Sequence, residues 1–300
     1  MWIRRTICVA SGSRSVQSVR LTDAPVRRPT TNVQVLAVDA DGARPRPDQL
    51  VTEEPMELRV AGPGQEPAAF AVTMRTPGND FELAAGLCHT EGLIAGFDDL
   101  DGIAYCLGGE GEQLFNVVTV RTRRPVPGDV RDRRFLSSSS CGICGKAALE
   151  EVAVRAAPVG RGPVVAATVI RALPDQLAQH QRVFGETGGL HAAARFTADG
   201  TLRAVREDVG RHNALDKLVG QGLLERELPF ADDILLVSGR LSFELVQKAA
   251  VAGFSVLCAV SAPSSLAVAA AQQFGQTVVG FLRDGRFNVY TYRARIDVSA

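Results

Sequence analysis

Lysine is almost absent from this sequence: in 300 residues only Lys146, Lys217 and Lys248 occur, and arginine carries the rest of the basic charge. Thirty-three basic residues face thirty-three acidic ones. That balance leaves no global field to draw the chain to nucleic acid or to an anionic membrane. No apolar run approaches the ~18–20 residues that a membrane-crossing helix needs. The first residues, Met1 to Ser11, carry Arg4 and Arg5 but only a stub of an apolar stretch, which excludes a secretory h-region and a twin-arginine signal. The expected compartment is therefore the cytoplasm. Cysteine is also scarce. Six in the whole chain cannot build a disulfide scaffold, and no fixed-period repeat is present.

What remains is an ordinary globular composition, 46% hydrophobic and 22% charged, long enough for roughly one or two domains. Residues 1–32, rich in Ser, Arg and Pro, read as a disordered lead-in. Residues 33–136 read as a small α+β domain. Alternation begins at Val33, strands follow at Met56–Val60 and Ala68–Met74, and a helix capped by Asp80 stops at Gly92. Strand-like runs return at Gly102–Leu107 and Asn116–Thr122.

Residues 137–146 read as a mobile loop: four serines, Ser137 to Ser140, precede Cys141-Gly142-Ile143-Cys144-Gly145. A helix over Lys146–Val154 would place both thiols at its N-terminus, where the dipole lowers a thiol pKa. Residues 147–300 form the α/β part. Apolar strands at Ile234–Val237, Ser255–Val260 and Thr277–Phe281 alternate with helices of ~10 residues, which implies a parallel sheet covered on both faces. In such sheets ligands bind beyond the carboxyl ends of the strands. Those ends present Ser238, Gly239, Arg240, Ser261, Ser264 and Arg283, a reasonable phosphate cradle.

Of the cysteines, Cys8, Cys88, Cys106 and Cys258 stand alone, and Cys88 and Cys258 lie among apolar residues suited to core packing. Only Cys141 and Cys144 are close enough to act together. Three chemistries suit a Cys-x-x-Cys pair. Zinc sites usually need four ligands, and a second pair is missing. A thioredoxin-like redox motif follows the first strand of a small domain, not a mid-chain serine run. The third is an exposed thiolate that accepts and hands on a sulfur atom; against all three stands an inert loop pair.

Two further clusters are polar. In Glu207-Asp208-Val209-Gly210-Arg211-His212-Asn213 the last three residues fall in the first turn of a helix capped by Asp208. They form either a solvated helix face or the wall of a pocket. In Thr187-Gly188-Gly189-Leu190-His191 two glycines suggest a tight backbone approach beside a lone histidine, a residue more often structural than functional.

These segments together resemble the FdhD family, sulfur carriers needed to activate formate dehydrogenase. The likeness spans roughly residues 33–293. It rests on the Cys141–Gly145 segment, Thr187–Ala193, Glu207–Lys217, Phe243-Glu244-Leu245-Val246-Gln247-Lys248 and Val278–Arg283. One departure is Ser238-Gly239-Arg240, where members often carry two serines before the arginine.

The resemblance implies a sulfurtransferase and a homodimer. A cysteine desulfurase would load a persulfide on Cys141, with Cys144 as its partner. The sulfur would then pass to the molybdenum or tungsten of a bis(molybdopterin guanine dinucleotide) cofactor, bound as cargo and destined for formate dehydrogenase. The cofactor-binding segment would be Val279, Gly280, Phe281, Leu282, Arg283 and Asp284. The implied C-terminal fold is a three-layer αβα unit resembling cytidine deaminase. That likeness raises a zinc-dependent hydrolase, but no His-x-Glu precedes the cysteines, Ser140 stands where such enzymes carry proline, and no metal ligand set is expected. A non-catalytic docking chaperone for formate dehydrogenase is the other alternative.

Overall fold

The computed structural model describes residues 8–9, 28–107, 115–128, 135–136 and 158–299. The N-terminal strands are β1 (Cys8–Val9), β2 (Thr30–Asp39), β3 (Gly42–Val51), β4 (Glu54–Ala61) and β5 (Ala68–Arg75). Helix α1 (Asp80–Thr90) follows, then β6 (Leu100–Leu107), β7 (Val117–Thr122) and β8 (Phe135–Leu136). The second part runs β9 (Val165–Ala166), α2 (Ala167–His180), α3 (Arg182–Thr187), β10 (His191–Thr197), β11 (Leu202–Asp208) and α4 (Arg211–Leu224). It ends with β12 (Asp233–Val237), α5 (Phe243–Val251), β13 (Val256–Ala259), α6 (Ser265–Phe274), β14 (Thr277–Arg283), β15 (Arg286–Val289) and β16 (Ile296–Asp297).

Two six-stranded sheets carry the molecule. The first, in the order β1-β6-β7-β4-β5-β8, packs Met56, Leu58, Val60, Val118 and Val120 against Leu83, Ala84 and Cys88 of α1. Cys8 and Val9, within the stretch expected as lead-in, pair in parallel with Cys106 and Leu107. Helix α1 does begin at Asp80, but Asn79 is its cap residue, in the left-handed region at φ 58°. Asp80 is buried instead, its carboxylate holding Arg75 at 2.9 Å. A short side chain such as asparagine tolerates that conformation, and the adjacent aspartate is freed for the ion pair.

The second sheet, in the order β11-β10-β12-β13-β14-β15, is mixed rather than parallel. Strands β12, β13 and β14 run parallel, whereas β10, β11 and β15 pair antiparallel. The β10–β11 hairpin escaped the apolar-run signal because β10 is buried on both faces by small residues, Ala192, Ala193 and Ala194. Helices α4, α5 and α6 cover one face through Leu215, Leu218, Leu245, Val246, Ala267 and Ala271. Ile170, Leu173 and Leu177 of α2 cover the other. Three layers result, as expected.

The two parts meet at α1 and α4. A Cβ on Gly86 would stand 1.8 Å from the Asp216 carbonyl oxygen, and one on Gly220 1.8 Å from that of Glu82. Only glycine permits so close an approach of two helix backbones.

Candidate functional site: the polar edge of the second sheet

The parallel strands β12, β13 and β14 end on one edge, level with one another through the pairs Val237 with Ala259 and Cys258 with Val279. The loops leaving β12 and β13 are tied together: the Leu241 N–H donates to the Ala262 carbonyl (3.1 Å) and the Ser264 N–H to the Leu241 carbonyl (3.0 Å). On the neighbouring strand β10, the Ala192 N–H donates to the Ser238 hydroxyl at 2.8 Å, and the Ser238 N–H returns a bond to the Ala192 carbonyl. These bonds seat Gly239 over the His191 imidazole, whose Nδ1 lies 3.3 Å from where a Cβ on Gly239 would stand. Glycine here is a matter of space.

Beside it, the first turn of α4 presents Arg211 and His212. Its cap residue, Gly210, offers no side-chain cap. The cap of α5, Ser242, also leaves its helix without a side-chain cap; its hydroxyl lies 3.3 Å from His212 Nε2. Two helix N-termini with uncapped amides thus converge, and both favour negative charge. His212 Nε2 also stands 2.9 Å from the Glu244 carboxylate. That bond holds the Glu244 carboxyl below its ordinary value, with burial opposing. Burial lowers the His191 pKa first, and Arg211 and His212 lower it further. Burial and these two neighbours thus favour the neutral form of the His191 imidazole, which lies beside the Glu244-oriented ring of His212.

Beneath this surface lies the anchor of α4. Lys217 Nζ, buried, bonds the Asp208 carboxylate at 2.7 Å, the Thr76 carbonyl at 2.9 Å and the Glu207 carbonyl at 3.3 Å. The Asp208 carboxylate accepts from the N–H groups of Thr76 and Gly210 and from Asn213 Nδ2. So Asp208 does not cap α4 but holds its approach from below. Lys248 makes the parallel arrangement, with Asp216 at 3.0 Å, Thr90 at 2.8 Å and Glu91 at 3.1 Å. Both described lysines of this lysine-poor chain are thus interior bolts between its two parts.

The sequence-derived site residues fall as follows. Cys141 and Cys144, and the helix expected over 146–154, lie outside the described residues. Val279 and Leu282 are buried in the core, and Gly280 is packed against Pro263 and Tyr290. Phe281 takes φ 53° at a bulge between Gly280 and Arg283, its N–H bonded to the Ser261 carbonyl at 3.1 Å. The Arg283 guanidinium lies 5.8 Å from the Phe281 ring centroid. Side chains of this segment reach the surface at Phe281, Arg283 and Asp284. Ser264 spends its oxygen accepting from the Ala267 N–H as the cap of α6, whereas Ser238, Ser261 and Arg283 share the edge. Glu244 and Ser242 were missed as site residues; the signal was Ser242-Phe243-Glu244 at a helix start, the position of a cap and a first-turn acid.

Among the described residues no group of three or more His, Cys, Asp or Glu side chains could hold a metal ion, and no helix is long and apolar enough to cross a membrane. Cys88 and Cys258 are buried, and burial pushes both thiols far up. They are core residues, as expected. Cys106 lies 2.9 Å from the Thr119 hydroxyl.

Fold and site together define a mixed α/β protein whose second sheet ends in a polar edge beside two helix N-termini. The chain belongs to the FdhD/NarQ family, whose pattern matches residues 51–297. It is 50% identical over 273 residues to the sulfur carrier protein FdhD of Mycolicibacterium paratuberculosis, covering 89% of this chain and 98% of that one. It is 50% identical over 280 residues to the protein of the same name from Streptomyces coelicolor, covering 91% and 98%. Its fold is also that of a candidate formate dehydrogenase accessory protein from Desulfotalea psychrophila, with a TM-score of 0.69 and 21% identity over 90% of this chain and all of that one.

Proposed function

We propose that this chain is a cytoplasmic sulfurtransferase that activates formate dehydrogenase by sulfurating its metal cofactor. In the first step the Cys141 thiolate attacks the outer sulfur of a persulfide on a cysteine desulfurase. The donor's S–S bond breaks, its cysteine leaves as a thiolate, and Cys141 holds the sulfane sulfur. In the second step the Cys144 thiolate attacks the inner sulfur. A Cys141–Cys144 disulfide forms, and sulfide departs to the molybdenum or tungsten of the bis(molybdopterin guanine dinucleotide) cargo. The two electrons come from the cysteine pair, and a dithiol reductant restores it.

The observation that carries this reading is the identity, at 50% across nearly their whole length, to relatives named as sulfur carriers. Features of the polar edge support the reading that the cargo binds there. Guanine dinucleotide phosphates suit an edge with two uncapped helix N-termini and the exposed arginines Arg240 and Arg283. Phe281 supplies an apolar contact, and its backbone strain is of the kind that marks ligand clamps. His212, oriented by Glu244, supplies an acid–base group at this edge. The layered second part serves here as a deaminase-like scaffold working through cysteine rather than zinc. Isothermal titration with GDP, the cargo's nucleotide end, tests the edge: saturable binding is expected, and no binding at millimolar GDP would remove the edge from the reading.

A further inference from the structure

Cys8 and Cys106 stand far apart in the sequence and belong neither to the core nor to the Cys141–Cys144 pair. The first sheet brings them together. Strand β1 lies parallel to β6, with Cys8 opposite Cys106 and Val9 opposite Leu107, and those two pairs are the whole of β1. Directly opposed residues on neighbouring strands fall on the same face of a sheet, and a slip of one residue would separate them. Neighbouring strands run ~4.8 Å apart, inside the ~4.4–6.8 Å between Cα atoms that a disulfide spans. Among the described residues no other two cysteines share a register. Cys258 stands opposite Leu236 and Val279, and Cys88 lies within α1.

The surroundings of Cys106 suit a reacting thiol. It is half-buried, whereas Cys88 and Cys258 are closed off in the core. Its Sγ lies 2.9 Å from the Thr119 hydroxyl, a group able to donate to a thiolate. The Arg59 guanidinium, held by Glu57 at 2.8 Å, interacts electrostatically with Cys106. A nearby cation favours the thiolate, which is the nucleophile in disulfide exchange. Strand β1 is also the outermost strand at this end of the sheet, so its attachment to β6 decides whether β6 or β1 forms the edge.

We propose that Cys8 and Cys106 are a second thiol pair, one that closes reversibly to a disulfide and clasps β1 onto β6. The oxidant is a small disulfide of the glutathione class. The Cys106 thiolate attacks one of its sulfurs, the S–S bond breaks, and one glutathione leaves as a thiolate. The Cys8 thiolate then attacks the Cys106 sulfur of the mixed disulfide, and the second glutathione leaves. The protein gives up two electrons and two protons, and the small disulfide becomes two thiols. A dithiol reductant reverses both steps and leaves β1 held by strand pairing alone. The clasp is separate from the sulfur carrier chemistry and does not depend on it.

The test is to incubate the full chain with oxidised glutathione, block remaining thiols with N-ethylmaleimide, and map the links by peptide mass. The expected product joins the peptides of Cys8 and Cys106, lighter by two hydrogens than their sum. It should exceed any link from Cys8 to Cys141 or Cys144 at least ~10-fold, because strand pairing raises the effective concentration of one thiol at the other. In urea that preference should vanish. In Cys8→Ser the second attack is lost, so Cys106 should accumulate as the glutathione mixed disulfide. Cys8 linked as readily to Cys141 or Cys144 would overturn the proposal. So would separate capping of both thiols without a link, an unreacted Cys106, or the same preference in urea. Sulfur loading at Cys141 should be the same in Cys8→Ser as in wild type, so failure of the clasp and failure of the carrier function read separately.

Discussion

Replacing Lys217 by methionine probes the joint that holds the polar edge in place. Methionine keeps the length of the aliphatic stem but removes the charge that satisfies the fully buried Asp208. Two backbone carbonyls, of Thr76 and Glu207, lose a donor at the same time. Breaking a buried pair by deleting one partner costs about 3–5 kcal/mol, because an uncompensated charge stays behind. At about 2–4 °C per kcal/mol for a chain of this size class, Tm should fall by roughly 6–20 °C. Arg44→Met is the internal comparison. Its partner Asp39 and Arg44 itself are exposed, so that pair is worth about 0–1 kcal/mol. Thermal and urea unfolding of wild type and both variants gives the answer. A Lys217→Met loss under ~1 kcal/mol, no larger than that of Arg44→Met, would refute the claim that these lysines bolt the two parts together.

Three further outcomes follow from the same geometry. The folded-state pKa of His191 is depressed, so the stability it contributes is fully present above the unfolded value near 6.5 and falls as pH drops below it. His191→Gln should flatten that acid limb, and an unchanged limb would contradict the burial argument. Gly220→Ala sets a methyl 1.8 Å from the Glu82 carbonyl oxygen and should cost about 3 kcal/mol or more, read as a urea midpoint shift; a neutral variant would mean the helices can part freely. Arg240→Ala and Arg283→Ala should each weaken GDP binding about 10- to 100-fold, since charge-assisted hydrogen bonds contribute roughly 1.5–3 kcal/mol. Calorimetry showing unchanged affinity in both variants would move the nucleotide off this edge.

Much of the architecture was legible where physics is local. Ile234–Val237 and Ser255–Val260 are apolar runs bounded by small polar residues, and the helices between them have one apolar face. The sheet edge that collects Ser238, Ser261 and Arg283 follows from that alternation alone. What was hidden depends on distant partners. The run Ala192-Ala193-Ala194 has no strand period, because both of its faces are buried. Pro45-Arg46-Pro47 argues against a strand, and β3 forms regardless because the prolines sit where no inward N–H is required. Nothing local in the sequence marks Lys217 and Lys248 as buried, since the groups that hold them from the first part, Thr76, Thr90 and Glu91, are brought to them by packing of α1 on α4. The His212–Glu244 contact joins the starts of two helices, and only the order of the strands brings those starts together.

The central claim is that sulfur rides on one cysteine pair. Incubating the full chain with a cysteine desulfurase and cysteine, then mapping sulfane sulfur by peptide mass, tests it most directly. The account predicts one added sulfur atom on the peptide carrying Cys141 and Cys144, lost in Cys141→Ala, with Cys88 and Cys258 unloaded in their buried positions. Equal loading of Cys88, Cys106 or Cys258 in the intact fold, or full loading of the Cys141→Ala chain, would contradict it.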